Sequence, residues 1–324
     1  MQSRFSRIFD NDWAGPALVC LVAVVAISIA QPSFLSPFNI LVLLSAISVN
    51  MVVALGQLVI IAIGQMNLAL GAFGGLVAIC FVAVMELYGV PPLAAMLIGL
   101  AIGTAAGMAS GFVIARTGIS AFIITLAGLQ IFKGINLGIT EAQPFYGVPQ
   151  VVKDFGNLGI LGSPVPWLVL PMIMAGLGMW YLFNRLRIGR YILAVGGNRT
   201  AAELSGIDVT ATIIWAYAIS GALAAIAGMM LVARLQIGQP TIGDDWLISS
   251  FAAPVIGGAV LTGGHVSVAG TFFGVVIIAI ITQALVLFAI DPFVVQIVLG
   301  ALILWAVGIN RFREIRIAKL NEAR

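Results

Sequence analysis

The chain has 324 residues, of which 61% are hydrophobic and only 8% are charged, and its mean hydropathy is +1.15. Soluble domains carry about 25% charged residues, so this composition excludes a water-soluble globular fold. The net charge of +3 does not indicate a nucleic-acid partner, because in a membrane protein the positions of the basic residues matter more than their sum. We therefore predict an all-α integral membrane protein, a polytopic helical bundle in the lipid bilayer with no nucleic-acid partner.

Apolar runs of spanning length follow one another along the whole chain. A spanning helix needs ~20 mostly apolar residues, because a lipid-exposed backbone must satisfy its own hydrogen bonds across ~30 Å of hydrocarbon. Runs bounded by Gly, Pro, Asn and charged residues predict spans at 14–31, 40–63, 67–88, 91–115, 119–139, 164–183, 211–233, 247–261, 265–289 and 291–309. The short run at 247–261 could be a tilted or partly re-entrant segment. The pattern predicts about ten transmembrane helices in a single domain, residues 1–324.

The basic residues sort by side when the amino terminus is placed in the cytoplasm. Ten spans then put twelve of the fifteen Lys and Arg residues inside and only Lys153 and Arg234 outside, while Lys133 falls within the fifth span. Cytoplasmic loops carry an excess of Lys and Arg, so both termini are predicted to be cytoplasmic. The first run also has features of a cleavable signal peptide, although Asp10, Asp12 and its length favour an anchor.

Two loops are long enough to have a role of their own, an outer loop at 140–163 and an inner loop at 184–210. In the inner loop Asn198 or Thr200 could cap a two-turn helix that Gly206 ends. Such a helix could insert into the groove of a partner protein, or it could lie on the membrane surface with its arginines against anionic lipid. The residues alone leave both interpretations open.

Two motifs occur in order in the second half of the chain. The first consists of GRY at 189–191, AVGGN at 194–198, AA at 201–202 and SGI at 205–207. The second consists of IGG at 256–258, LxGG at 261–264 and SVxGT at 267–271. Together they resemble the ribose-type sugar permeases of ATP-binding-cassette importers, and the first resembles the cytoplasmic coupling segment of that family. The segment GQMNLALGA at 64–72 also matches in place, but Asn67 and Ala69 stand where family members typically have Asp and Ser. A role that depends on that carboxylate is therefore not carried over.

The resemblance implies a permease of the bacterial inner membrane that pairs with a second, identical or homologous permease subunit. It also implies a cytosolic ATP-binding subunit docked on the coupling loop, 184–210, and a periplasmic sugar-binding protein at the periplasmic loop, 140–163. The residues expected to couple to the ATPase are Asn198, Arg199, Ala201, Ala202, Glu203, Leu204, Ser205, Gly206 and Ile207. The residues expected to contact the binding protein are Lys153, Asp154, Asp244 and Asp245. For Asp244 and Asp245 a solvated helix cap is the alternative.

Neither catalysis nor a bound cofactor is predicted for this chain. It contains no Gly-Lys dipeptide, so it lacks the glycine-rich loop that cradles ATP phosphates, and ATP hydrolysis is expected on the separate partner subunit. One histidine and two isolated cysteines do not supply the ligands of a metal site.

A sugar pathway requires neutral groups that exchange hydrogen bonds with hydroxyls. The candidates within the predicted spans are Asn50, Gln57, Thr125, Gln130, Asn136, Gln283 and Gln296. Each of them could equally bond a neighbouring helix. Lys133 is expected to snorkel outward or to pair with Glu141 or Asp154, with a substrate contact at the outer mouth as the alternative.

A self-sufficient secondary transporter of a small polar solute is the alternative function. It would ordinarily need a buried Asp or Glu within the spans, and the acidic residues here lie nearly all at loops or span ends. An intramembrane enzyme would need a nucleophile with its base, or a metal cluster. The pattern favours the importer permease.

Overall fold

The computed structural model describes residues 13–291 and, in the last predicted span, residues 294, 296–298, 300, 301, 304 and 308. Twelve α-helices lie between residues 14 and 287. In chain order they are α1 Ala14–Ala30, α2 Pro37–Ala62, α3 Leu70–Tyr88, α4 Pro92–Thr117, α5 Ala121–Thr140, α6 Gln150–Asn157, α7 Val169–Arg185, α8 Arg187–Gly197, α9 Arg199–Leu204, α10 Val209–Leu235, α11 Trp246–Ile256 and α12 Val268–Leu287. Short 3₁₀ helices occur at Pro32–Leu35 and Ile160–Gly162.

Six of the described helices are long and apolar enough to cross a membrane, namely α2, α3, α4, α5, α10 and α12. The consecutive helices α7 and α8 would add a seventh span if joined, but they are bent by 72°. A helix occupies each of the first nine predicted runs, yet α1 has only 17 residues and α11 only 11. The prediction of a multi-pass helical membrane protein is confirmed. The count of ten and the cytoplasmic termini stay predictions, because 1–12, 309–324 and much of 291–309 fall outside the described residues.

Helix α10 is the centre of the bundle and packs along α2, α3 and α4. The packing brings backbone against backbone, because a Cβ built on Gly107 of α4 would lie 2.1 Å from the Tyr217 carbonyl oxygen. On α10, a Cβ at Gly221 would lie 2.1 Å from the Gly103 carbonyl oxygen. Small residues permit such close approach in membranes, where no hydrophobic effect draws helices together. Glycine therefore sets the spacing of the central helices.

The connection between α10 and α11, residues 236–245, does not stay at the end of the bundle. It runs back along α3, with Gly238 against Val82 near the carboxyl end of α3 and Gly243 against Gly71 near its amino end. Eleven residues of α3 separate these contacts, a distance of about 16 Å at 1.5 Å per residue. Non-helical backbone at such depth occurs only where protein covers it or where it lines a cavity. This descent explains why the eighth apolar run yields such a short helix.

The loop 140–163 is ordered by contacts with the helices beneath it. The Gly147 amide donates to Oε2 of Glu86 at 2.8 Å, and Nδ2 of Asn157 donates to the Ala233 carbonyl oxygen at 3.1 Å. Helix α6, inside this loop, lies on α10, where Gly156 meets the Ala233 backbone. The loop forms a fixed surface at the end of α3 and α10.

Candidate functional site

The segment 198–207 forms the capped short helix that the sequence predicts. Oδ1 of Asn198 accepts from the Ala201 amide at 2.9 Å and caps α9, so Asn198 and not Thr200 is the cap. The helix ends at Leu204, and Gly206 just beyond it has a φ of +80°, while the Ile207 amide donates back to the Ala202 carbonyl oxygen at 3.1 Å. The preceding helix α8 was not predicted from the sequence, and a bend of 72° separates it from α7.

One side of α9 is unoccupied within the described chain. Leu204 is 86% exposed, whereas Ala202 is 4% exposed and packs against the chain's own core. Arg199 and Glu203 form an i,i+4 ion pair at 3.4 Å that is largely solvated and contributes little. The remaining predicted coupling residues, Asn198, Ala201, Ser205 and Gly206, are exposed, and Ile207 is half-buried.

Three segments of the chain meet, backbone against backbone, directly before α9, and we call this contact the glycine junction. It joins Ala62 at the end of α2 and Gly64 just after it, Gly196 of α8, and Gly263 and Gly264 before α12. The Gly264 amide donates to the Ala62 carbonyl oxygen at 3.0 Å. A Cβ on Gly196 would lie 1.9 Å from that same oxygen, and one on Gly263 would lie 2.6 Å from the Gly64 nitrogen. The backbone of α8 therefore lies in direct contact with the backbone of both other segments.

The break between α2 and α3 is held by buried polar groups. Oδ1 of Asn67 accepts from the Ala69 amide at 3.0 Å, and its Nδ2 donates to Oγ of Ser220 at 3.4 Å. Gln57 is fully buried, and with its amide nitrogen facing the Asn67 carbonyl it makes paired bonds of 3.1 and 3.2 Å to the Asn67 backbone. Nδ2 of Asn67 thus supplies a donor at this turn, which a carboxylate in its place would lack.

A polar cavity lies between α3, α5 and the connection 236–245. Nζ of Lys133 pairs with the Asp244 carboxylate at 2.9 and 3.0 Å, so the prediction of Glu141 or Asp154 as its partner is wrong. The reason is the returning connection, which brings Asp244 alongside α5. An intramembrane lysine costs ~2.5–3.5 kcal/mol on insertion scales, and pairing offsets part of that cost. Asn136, one turn further along α5, donates from Nδ2 to the Pro240 carbonyl oxygen at 2.9 Å.

Comparison with known proteins identifies the family. The model of the family described as "Branched-chain amino acid transport system / permease component" matches residues 38–307. The chain belongs to this family of permeases.

Curated relatives match the permease over most of its length. It is 37% identical over 299 residues to the ribose import permease protein RbsC of Bacillus subtilis, covering 92% of each chain. It is 34% identical over 308 residues to the D-allose transport system permease protein AlsC of Escherichia coli, covering 95% of this chain and 93% of that one. It is 31% identical over 306 residues to the fructose import permease protein FrcC of Rhizobium meliloti, covering 92% and 85%. No solved structure gives a significant match.

The seven predicted pathway residues do not converge on one site in the permease. Gln57 and Thr125 instead support the break, since Oγ1 of Thr125 lies 3.5 Å from the Met66 carbonyl oxygen and 2.7 Å from that of Ala121. Gln283 donates to Oδ1 of Asn39 and so links α12 to α2.

The other four pathway residues differ in their surroundings. Asn50 lines a small crevice with Ser249, and Asn136 lines the polar cavity. Gln130 and Gln296 are exposed to the surroundings of the single chain.

The predicted contacts for a binding protein fall on two different elements. Lys153 and Asp154 are half-buried on α6, where Nε2 of Gln150 donates to Oδ1 of Asp154 at 2.7 Å. Asp244 and Asp245 lie at the far end of the returning connection, directly before α11. The two pairs of residues therefore do not form one surface patch along the chain.

Proposed function

We propose that this permease is the membrane-spanning subunit of an ATP-binding-cassette importer that carries a monosaccharide across the bacterial inner membrane. The observation that carries the proposal is its end-to-end similarity to permeases named for the import of ribose and fructose and the transport of D-allose. The secondary transporter is not favoured, because the similarity to sugar import and transport permeases covers 92–95% of the chain.

Helix α9 is the proposed docking element for the cytosolic ATP-binding subunit. Leu204 presents an exposed apolar side chain there, and the small side chain of the exposed Ala201 allows a groove of the partner protein to approach the helix closely. Short helices dock in this way by laying an apolar face into a groove of the partner. Since the chain has no phosphate-binding loop, the energy of ATP hydrolysis enters through this contact and passes through the glycine junction to α2 and α12.

A second permease subunit is proposed to pack on α5. Gln130, Gly134 and Gly138 lie on the face of α5 opposite its buried residues, and a Cβ at either glycine would meet nothing within 4 Å. Small residues one turn apart allow a second helix to approach closely, and a glutamine in a membrane gains by bonding across that interface. Gln130 would then border a pathway shared by two permease subunits.

The loop 140–163 is the proposed contact for a periplasmic sugar-binding protein. Helix α6 is fixed on α10 and carries Lys153 and Asp154, which provide a donor and an acceptor on one rigid element. Asp244 is a weaker candidate for this contact, because its carboxylate is already paired with Lys133.

The test combines co-purification with transport. The tagged permease is co-expressed with its neighbouring genes, purified in mild detergent and compared with Leu204→Glu. The matched control is Leu161→Glu, which changes another highly exposed leucine, in the loop 140–163. We expect an ATPase to co-purify with the native chain and the control but not with Leu204→Glu.

Transport is then measured in proteoliposomes with the co-purified subunits and the binding protein. Radiolabelled ribose, allose and fructose serve as probes, with and without ATP. We expect ATP-dependent uptake of at least one sugar. Uptake by the purified permease alone, without ATP, would refute the importer and establish a secondary transporter.

A further inference from the structure

Three exposed arginines lie where α7 ends and α8 begins, and the proposed function does not use them. Arg185 is the last residue of α7, Arg187 is the first residue of α8, and Arg190 follows one turn later. Within the part of the chain that the structure describes, none of the three guanidinium groups takes part in an ion pair or a hydrogen bond. Three positive charges therefore lie within six residues of one another and face no anion from the described residues.

Helix α8 has a buried face and an exposed basic face. Ile192 is fully buried in the core of the bundle, and Gly189 packs on the backbone of α7. Arg187, Arg190 and Tyr191 are exposed on the other side. Residues three and four apart share one face of a helix, so these three side chains are neighbours. Like charges at this spacing repel each other, and an anion bound between the two arginines would relieve the repulsion.

The bend after α7 places the basic face at the level of the lipid headgroups. Helix α7 lies in the predicted span 164–183, and α8 departs from its direction by 72°. For α7 in the direction of a span, this bend lays α8 close to the plane of the membrane. Trp180 and Tyr181, just before the bend, are 50% and 52% exposed. Exposed Trp and Tyr rings are typical of the boundary between hydrocarbon and water.

An exposed apolar stripe on α7 leads along the helix to the bend. Leu170, Ile173 and Leu177 are exposed at intervals of three and four residues, and Trp180 continues the series. Ten residues separate Leu170 from Trp180, a distance of about 15 Å at 1.5 Å per residue. This is about half of the ~30 Å hydrocarbon thickness of a bilayer. The stripe thus has the length of the acyl chains in one leaflet, and the arginines lie beyond its aromatic end.

We propose that the bend between α7 and α8 binds an anionic phospholipid of the leaflet on the side of α9. Arg187 and Arg190 bind the headgroup phosphate, Arg185 adds positive charge beside them, and the stripe on α7 accommodates an acyl chain. A guanidinium group is suited to phosphate because its planar N–H groups donate two parallel hydrogen bonds. A lipid is favoured over an acidic protein surface because the charged residues continue an apolar stripe of one leaflet's length.

The proposal assigns the two interpretations of the coupling loop to two different helices. Helix α9 has an exposed apolar residue, Leu204, and its one arginine, Arg199, is paired with Glu203. It therefore fits a groove of a partner protein better than an anionic surface. Helix α8 has the opposite character, with its apolar face buried and its arginines exposed. The contact with anionic lipid thus belongs to α8.

Thermal unfolding in mixed lipid–detergent micelles tests the site. The purified full-length permease is titrated with phosphatidylglycerol or with phosphatidylcholine, and glycerol 3-phosphate serves as a soluble phosphate ester. A ligand that binds only the folded state raises the unfolding temperature. We expect phosphatidylglycerol to raise it more than phosphatidylcholine does, and glycerol 3-phosphate to leave it unchanged. About 0.5 M salt should reduce the difference between the two lipids, because salt screens charges.

The double variant Arg187→Gln, Arg190→Gln supplies the specific readout. The phosphatidylglycerol concentration for half of the rise should increase about 25-fold, because each basic residue at an anionic surface contributes about fivefold. The matched control is Arg116→Gln with Arg199→Gln, which removes two other exposed arginines and should leave that concentration unchanged. Arg187→Lys with Arg190→Lys keeps both charges and should respond far more strongly than the glutamine variant.

The outcomes that overturn the site are distinct. An equal loss of response in the glutamine variant and in the control shows an effect of total charge alone. An equal rise from glycerol 3-phosphate shows a phosphate site without lipid. If the glutamine variant keeps its response to phosphatidylglycerol but no longer co-purifies with the ATPase, the basic face binds that partner instead. If the glutamine variant does not fold, the native chain decides, and equal rises with both lipids overturn the proposal. None of these readouts involves transport, so they stand apart from the test of the importer.

Discussion

Replacing the cap of α9 should loosen this helix, the proposed docking element, without touching the rest of the permease. In Asn198→Ala the Ala201 amide loses its acceptor at 2.9 Å. Loss of an Asn cap costs ~1 kcal/mol, which corresponds to about fivefold in the equilibrium between closed and open helix. Because α9 has only six residues, this one bond is a large part of its local stability.

Hydrogen exchange at the other end of α9 is the measurement. The amides of Ser205 and Ile207 bond to Ala201 and Ala202, so they exchange only when the helix opens, and they keep their acceptors in the variant. We expect Asn198→Ala to raise their exchange rates about fivefold, and to weaken ATPase co-purification by a similar factor.

Two control variants separate the cap from other effects. Thr200→Ala lies in the same turn, removes no cap and should leave exchange unchanged, while Asn198→Asp keeps an acceptor oxygen and should also behave as native. If Asn198→Ala leaves exchange at Ser205 and Ile207 unchanged, packing against α8 holds α9 and the capping argument is refuted.

Three further changes test other contacts. Gly196→Ala places a Cβ 1.9 Å from a backbone oxygen and should lower the free energy of unfolding by about 1–3 kcal/mol. In the control Gly178→Ala the new Cβ meets nothing within 4 Å, and the free energy of unfolding should stay unchanged. Lys133→Met should lower the unfolding temperature because it leaves Asp244 unpaired, and adding Asp244→Asn should restore the native unfolding temperature. If the single and the double variant unfold at the same temperature, the pairing does not contribute to stability. Gly134→Leu should shift the purified permease from dimer to monomer in light scattering, while Gly178→Leu should leave the dimer intact.

The spanning helices could be predicted from sequence because hydrocarbon thickness imposes a length on each apolar run. Nine runs gave helices at the predicted places, with ends within a few residues, as in Pro92–Thr117 for the run 91–115. Helix α8 has no such signature, because it has only 11 residues and is too short to span the membrane. The return of residues 236–245 along α3 also leaves no signature in the sequence, because it depends on tertiary contacts of Gly238 and Gly243.

The residues of the candidate site also include some whose role the sequence predicts and some whose role it does not. The cap at Asn198 was readable because a local rule determines it. The ion pair of Lys133 with Asp244 was not, because 111 residues separate its partners and the local pattern favoured nearer acids. The roles of Gln57 and Thr125 were also missed, since a polar residue on a spanning helix looks the same whether it faces a solute or a neighbouring turn. Only the position of the break at 63–69 decides between those alternatives.

The glycine junction has a consequence for evolution and for engineering of this permease. Side chains ordinarily absorb small displacements by changing rotamer, and contacts between them tolerate substitution in compensating pairs. Where Gly196 and Gly263 meet the backbone of α2, neither option exists, because there is no side chain to reorient and no smaller residue to choose. The fold can therefore tolerate changes at the exposed residues of α9, but the three segments of the junction must keep their lengths and their glycines together.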